Sequence, residues 1–361
     1  MFDHWLVPSV LSEKKFAAWQ FGENIVRDTE KTPTMSPGSL CLIGIDAEAA
    51  DAIRTQLFEL GWHFGKLSVI DLGNTRRSDR DFVAPILTEL LRNGVIPVIL
   101  GGESAQIITQ HLAYQTQPEP INITVIDRAI VFSPDDPMPE SYLYAILTFK
   151  NAHLAQCSMI GYQTHLSVAA GIKYLDERGT DSLRLGRVRD NIEAVEPILR
   201  DSDMVAIHLA AIKYSDAPSV FRPCPVGLTA EESMRVGKYA GLSTKLRSFG
   251  IFGLLTDTDN QQITAQTAAQ IIWYFCDGFR NRIADHPSQA DQLTEYVVPF
   301  KRDYRISFWK NLVSGRWWME IPNTQRKSET NMLIACSYKD YEQAGNGEMP
   351  ERLLNALKRQ K

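Results

Sequence analysis

The chain has 361 residues, of which 44% are hydrophobic and 22% charged. That length suits one large globular domain or two smaller ones, and the composition excludes a disordered or fibrous chain. Thirty-eight basic residues stand against 43 acidic ones, a net charge of −5; a general nucleic-acid binder would show a basic excess or stripe. No run of about 18 apolar residues is present to span a membrane. The start, Met1-Phe2-Asp3-His4-Trp5, lacks the basic and apolar regions of a signal peptide. Cys41, Cys157, Cys224, Cys276 and Cys336 are widely spaced and form no CxxC pair. They read as reduced packing thiols of a cytoplasmic protein, with no zinc knuckle.

Residues 1–38 read as an extension that ends in the turn-rich join Glu30 to Gly38. From there short apolar strands alternate with amphipathic helices. Leu40 to Ile45 is a strand and Ala47 to Leu60 a helix; Leu67 to Asp71 and Asp79 to Arg92 repeat the pair. Val95 to Leu100 is the third strand, followed by a helix over Ser104 to Tyr114. Ile121 to Ile126, Cys157 to Gly161, Asp203 to Ile207 and Gly250 to Leu255 are further strands. Ser141 to Thr148 and Thr264 to Arg280 read as helices, and Thr229 with Glu232 forms a capping box at the start of another. This alternation predicts a mostly parallel sheet covered by helices on both faces, a three-layer α/β/α sandwich over residues 39–290.

The pattern changes in residues 291–361. Tyr296 to Phe300, Tyr304 to Phe308 and Arg316 to Ile321 suggest short strands and turns, and Pro350 to Lys361 a basic helix. This appendage is rich in aromatic residues. Trp309, Trp317 and Trp318 are its candidates for packing on the main domain or for a partner surface.

In a parallel sheet, function collects where strands end at their carboxyl edge. Four such ends stand out. They are Gly101-Gly102-Glu103-Ser104, Asp127-Arg128-Ala129-Ile130-Val131, His208 through Ala210, Lys213 and Asp216 to Pro218, and Thr256-Asp257-Thr258-Asp259. Together with Gly227-Leu228-Thr229, their order and spacing resemble the ureohydrolases: arginase, agmatinase and formimidoylglutamase. Gly101 to Ser104 stands where that family has Gly-Gly-Asp-His. Asp127 to Val131 stands at its Asp-x-His-x-Asp, and His208 to Pro218 at an Asp-x-Asp strand end followed by an Asp-Pro turn. This likeness covers about residues 40 to 285. A divergent bacterial branch, often labelled formimidoylglutamase or arginase-like, is closer. Ile160 to Thr164, Lys238 to Ser243, Ala269 to Phe275, Arg316 to Pro322 and Cys336 to Tyr341 are similar to it, which extends the likeness to nearly the whole chain.

The resemblance implies an arginase-like sandwich, assembly with copies of itself, and, from the bacteria in which the close branch occurs, a link to a secretion apparatus. It also implies chemistry. A bridged pair of Mn²⁺ ions lowers the pKa of a shared water, and the hydroxide attacks a guanidinium-type carbon. The family holds the ions with two His and four Asp, because hard cations need carboxylate oxygens. At the corresponding positions this chain has Ser104, Asp127, Ala129, Val131, His208 and Ala210. Only Asp127 keeps its place, and Ala129, Val131 and Ala210 offer no ligand atom. The family's glutamate near the substrate maps to the shorter Asp257.

The leading expectation is therefore a ureohydrolase-fold protein without a metal cofactor, acting by binding, scaffolding or regulation. The alternative is a manganese-dependent hydrolase of linear amidines with a site rebuilt from Glu103, Asp127, His208, Asp216, Asp257 and Asp259. A third reading keeps the pocket as a ligand sensor, in which Arg128 and Lys213 favour a small anion. The pocket candidates are Glu103, Ser104, Asp127, Arg128, His208, Lys213 and Asp257. One of the cations Arg128 and Lys213, or repacking by Ala129 and Val131, is expected to take the place of metal beside Asp127. Each candidate also has a purely structural role open to it. Asp127 can hold backbone amides, His208 can be a hydrogen-bonded core residue, Asp216 can shape a turn and Glu103 can cap a helix. No GxSxG elbow, P-loop or GxGxxG after the first strand points to other chemistry.

Overall fold

The computed structural model describes residues 4–27, 35–136, 138–149, 153–300, 304–322 and 332–360. The join expected at Glu30 to Gly38 is described from Met35 onward; residues 30–34 lie outside the described ones. The strands in chain order begin with β1 (Leu6–Val7), β2 (Val26–Arg27), β3 (Leu40–Gly44), β4 (Val69–Thr75) and β5 (Ile96–Leu100). They continue with β6 (Ile121–Ile126), β7 (Leu154–Tyr162), β8 (Leu183–Arg184), β9 (Met204–His208) and β10 (Ser248–Phe252). The helices between them are α1 (Ala47–Phe58), α2 (Arg80–Arg92), α3 (Gln106–Leu112), α4 (Tyr142–Thr148) and α5 (Ala169–Glu177). After these come α6 (Leu185–Asp190), α7 (Glu196–Arg200), α8 (Ala230–Leu242) and α9 (Ile263–Arg280).

These strands form one sheet in the order β1-β4-β3-β5-β10-β9-β6-β7-β8, with β2 also on β4. Every pair is parallel except β1 with β4. Successive strand residues point to opposite faces, and the apolar ones divide accordingly. Leu40 and Leu42 of β3 enter one core with Ile53 of α1 and Phe275 of α9, while Cys41 and Ile43 enter the other with Leu87 of α2 and Leu143 of α4. Both faces are covered, so the sheet is the middle layer of an α/β/α sandwich. Local chemistry starts the helices. Asp46 accepts the Ala49 amide at α1, Asp79 the Phe82 amide at α2, and Thr229 with Glu232 closes the expected capping box at α8.

The amino-terminal segment is more than an extension, since β1 and β2 both join the sheet at β4. Arg54 of α1 anchors this corner. Fully buried, it bonds Asp71 at 3.0 Å, Asp51 at 3.0 Å, Asn74 at 2.6 Å and the Gly73 carbonyl at 2.6 Å. Burial raises the Asp71 pKa even against the neighbouring guanidinium.

A second sheet follows. Strands β11 (Leu293–Phe300), β12 (Tyr304–Asn311), β13 (Trp317–Ile321) and β14 (Met332–Cys336) pair antiparallel in sequence order, with α10 (Tyr338–Gly345) and α11 (Glu351–Arg359) beside them. Phe308, Trp317, Met319, Leu353 and Ala356 form their own core. Trp317 and Trp318 are 6% and 2% exposed, so these two indoles form no partner surface. Trp318 instead lies under the Arg200 guanidinium of α7, 4.5 Å from its ring centre.

Candidate functional site at the carboxyl edge of the sheet

Strands β5, β10, β9 and β6 are consecutive neighbours and parallel. Their carboxyl ends therefore deliver all four segments singled out in the sequence to one edge. The turns there need glycine. Gly101 and Gly102 have φ of +77° and +88°, and Gly253 has φ of +93°. A Cβ on Gly253 would sit 2.8 Å from His208 Nε2, so the imidazole packs directly on this backbone.

Asp127 follows β6 at this edge and is 8% exposed. Its Oδ2 accepts the Tyr142 hydroxyl of α4 at 2.7 Å, and its Oδ1 accepts the Arg128 amide at 2.6 Å. Burial first, and then the Asp127 charge that the hydroxyl faces, raise the Tyr142 pKa well above its ordinary value. The phenol thus stays a donor. His208 Nδ1 lies 3.9 Å from Asp127 Oδ1 and accepts the Ala210 amide at 3.3 Å. That acceptance assigns the ring proton to Nε2.

The cation expected beside Asp127 is a hydroxyl instead. Arg128 turns away and donates to the carbonyls of Phe221, at 3.4 Å, and Arg222. Lys213 pairs with Asp216 at 3.5 Å. Repacking by Val131 is also overturned, because that side chain is 47% exposed. Ala210 is buried in the apolar core. Asp127 and Arg128 lie just past the end of β6, with Asp127 buried and the Arg128 guanidinium turned to the loop carbonyls.

The remaining candidates scatter. Asp216 accepts the Ala230 amide at 2.8 Å, holding the first turn of α8, and its own carbonyl accepts the Thr267 hydroxyl. Asp259 accepts the amides of Thr264 and Ala265 at 3.2 and 2.9 Å, at the start of α9. Both carboxylates serve helix ends. Glu103 is exposed, and α3 has no side-chain cap, so the capping role expected of Glu103 is not the one it has. Asp257 is exposed in a short turn over Thr256–Thr258. Ser104 is half-buried, and its carbonyl accepts the Ile107 amide. A groove of about 510 Å³ lies beside this edge, bounded by Ala47, Glu48, Asp51, Thr256, Asp259 and Gln262. Asp127, Arg128, His208 and Lys213 do not line it. Among the described residues no three His, Cys, Asp or Glu side chains converge as a metal-holding group. Tyr142 and Arg222 went unnoticed in the sequence. Neither has a local signal, because each meets its partner only through the tertiary fold.

Residues 46–277 match the family model described as the arginase family. The chain belongs to the arginase family. Its fold is also similar to solved structures of other members. Formimidoylglutamase from Bacillus subtilis superposes with a TM-score of 0.62 at 16% identity, covering 76% of this chain and 97% of that one. Formiminoglutamase from Trypanosoma cruzi, solved with Mn²⁺, gives 0.60 at 17%, covering 68% and 95%. Agmatine ureohydrolase of Thermoplasma volcanium gives 0.53 at 20%, covering 68% and 90%. At these identities the likeness is one of fold. A search of curated proteins gives no match. Among the described residues no helix is long and apolar enough to cross a membrane.

Proposed function

We propose that this arginase-family chain is a non-hydrolytic member whose strand edge serves binding or regulation. The observation that supports this is the pairing of Asp127. A ligand of a bridged Mn²⁺ pair must direct its oxygens at the ions. Here one oxygen is directed at the Tyr142 hydroxyl and the other at the Arg128 amide. The partner positions carry Ser104, Ala129, Val131 and Ala210. His208 has its Nδ1 lone pair on the Ala210 amide. Two divalent ions bring four positive charges, and one carboxylate with one imidazole does not balance them. The donor set does not fit the Mn²⁺ pair.

The test is metal content by mass spectrometry after purification in Mn²⁺ and dialysis, together with release of glutamate and formamide from formimidoylglutamate. Retained manganese far below one ion per chain, with no glutamate release above the buffer rate, is the expected result. Two ions per chain with turnover would establish the amidine hydrolase instead.

A further inference from the structure

Three arginines meet at the loop that follows β9, one of them its own. Arg128, from the end of β6, reaches across to the carbonyls of Phe221 and Arg222. Arg189, next to the last residue of α6, donates to the Gly227 carbonyl at 2.7 Å. Arg222 itself is exposed, with its guanidinium over the Phe221 ring, 5.1 Å from the centre. Among the described residues, none of these three guanidiniums meets a carboxylate. A carbonyl takes a guanidinium through one oxygen, whereas a carboxylate or phosphate accepts its forked donors through two.

Two further observations bear on the same place. Arg222 has φ of +50°, a left-handed conformation that a non-glycine residue rarely adopts, and its carbonyl accepts from Arg128. Phe221, beside it, is 64% exposed although the chain has a full apolar core in which to bury such a ring. The acids of this edge lie elsewhere. Asp127 faces Tyr142, Asp216 is spent on α8 and Lys213, and Asp259 is spent on α9. Lys213, expected to share in anion recognition, is neutralised by Asp216.

We infer that Arg128 and Arg222 form an oxyanion site on the 213–228 loop, which takes a small organic carboxylate or phosphate whose apolar part lies against Phe221. The inference rests on reading this edge as a binding surface and uses none of the positions where the family holds metal. The anion takes the guanidinium donors that now go to the two carbonyls, and Arg222 closes over it from the exposed side.

The probes are phenyl phosphate and inorganic phosphate, titrated calorimetrically against the full chain at constant ionic strength, with chloride as the control. Saturable binding of phenyl phosphate is expected, with inorganic phosphate weaker. Arg222→Ala, an exposed change that leaves the core intact, weakens phenyl phosphate about tenfold or more. Arg128→Lys keeps the charge but loses the fork, and weakens it comparably. Equal binding by Arg222→Ala overturns the site, as does an effect that chloride reproduces or the absence of saturation by either probe. Manganese retention and amidine hydrolysis do not enter this readout. Their appearance would defeat the non-hydrolytic reading and leave the anion site standing, while loss of phosphate binding would do the reverse.

Discussion

Charge is handled in opposite ways at the carboxyl edge of the sheet and at the joint between the two sheets. At the joint, acids and bases meet. Arg352 of α11 bonds Asp201 at 2.6 Å and the Ala335 carbonyl at 2.8 Å, and lies 3.4 Å from Asp181. Arg316 reaches Glu196 and Asp285, each at 3.2 Å, and Arg200 donates to the Cys336 carbonyl at 2.9 Å. Burial works against the Arg352 charge, but Asp181, Asp201 and Asp340 outweigh it and raise its pKa. At the carboxyl edge Lys213 still meets Asp216, but Asp127 and Arg128 are kept apart, the first on a hydroxyl and the second on carbonyls. Matched charges hold two parts of a molecule together, whereas separated ones remain able to meet a ligand.

The comparison breaks most sharply at Arg352. Its removal leaves Asp201 and Asp181 at the joint with fewer partners, and losing one member of a buried pair costs about 3–5 kcal/mol. Arg352→Met is expected to lower unfolding stability by that amount in a denaturant titration, and adding Asp201→Leu to recover part of it. A loss under about 1 kcal/mol would show that the joint does not depend on matched charge.

The next effect in size tests the carboxyl edge. Tyr142→Phe keeps the ring and removes the hydroxyl that Asp127 Oδ2 accepts. A buried carboxylate oxygen left without its donor costs about 1–3 kcal/mol. If stability is unchanged, Asp127 has another partner and the argument about its orientation fails. Where the pairing holds, Asp127→Asn should cost less in the Tyr142→Phe background than in the native chain, because the two groups act as a pair.

Smaller again is Asp216. Burial pushes its pKa up, but the Ala230 amide, the Ser215 hydroxyl and Lys213 together bring it below its ordinary 3.8. A depressed carboxylate contributes stability above its unfolded pKa and loses it as pH falls through the folded one. Asp216→Ala should therefore cost about 1 kcal/mol near neutral pH, typical of a helix-start carboxylate, and less and less as pH falls below about 4. A cost that persists undiminished in acid would mean that the side chain acts by packing and not by its charge.

Most of the sandwich was legible because period-2 apolar strands and capped amphipathic helices carry their own signals. The capping box at Thr229 and Glu232 is one example; the long helix into Arg280 is another. The short strands β1, β2 and β8 were not legible, since two residues give no periodicity and their pairing is decided by β4 and β7. β14 and α10 were missed as well. At the edge, the parallel order of β5, β10, β9 and β6 brings the four motif segments to one side of the sheet. The partners of each side chain were hidden: Tyr142 is 15 residues from Asp127 and Arg222 is 94 from Arg128, and nothing local links them. Asp216 and Asp259 were correctly placed near the edge, yet their carboxylates are consumed by helix amides that the one-dimensional pattern does not show.

The smallest expected effects are at Glu103 and Asp257, and they discriminate best between the two functional readings. Both side chains are exposed, and neither caps the element beside it. Exposed substitutions away from caps and buried pairs usually stay within about 0.5 kcal/mol, so Glu103→Ala and Asp257→Ala should leave the unfolding midpoint almost unmoved. A rebuilt metal site would give a different result. Removing a carboxylate ligand would then lower Mn²⁺ retention, and it would raise stability in metal-free buffer by relieving repulsion among acids. The double variant measured with and without Mn²⁺ separates these cases. Two superimposable unfolding curves in both buffers fit an edge where these acids stand in solvent. A manganese-dependent gap that closes in the variant would place them in a working centre and reopen the hydrolase.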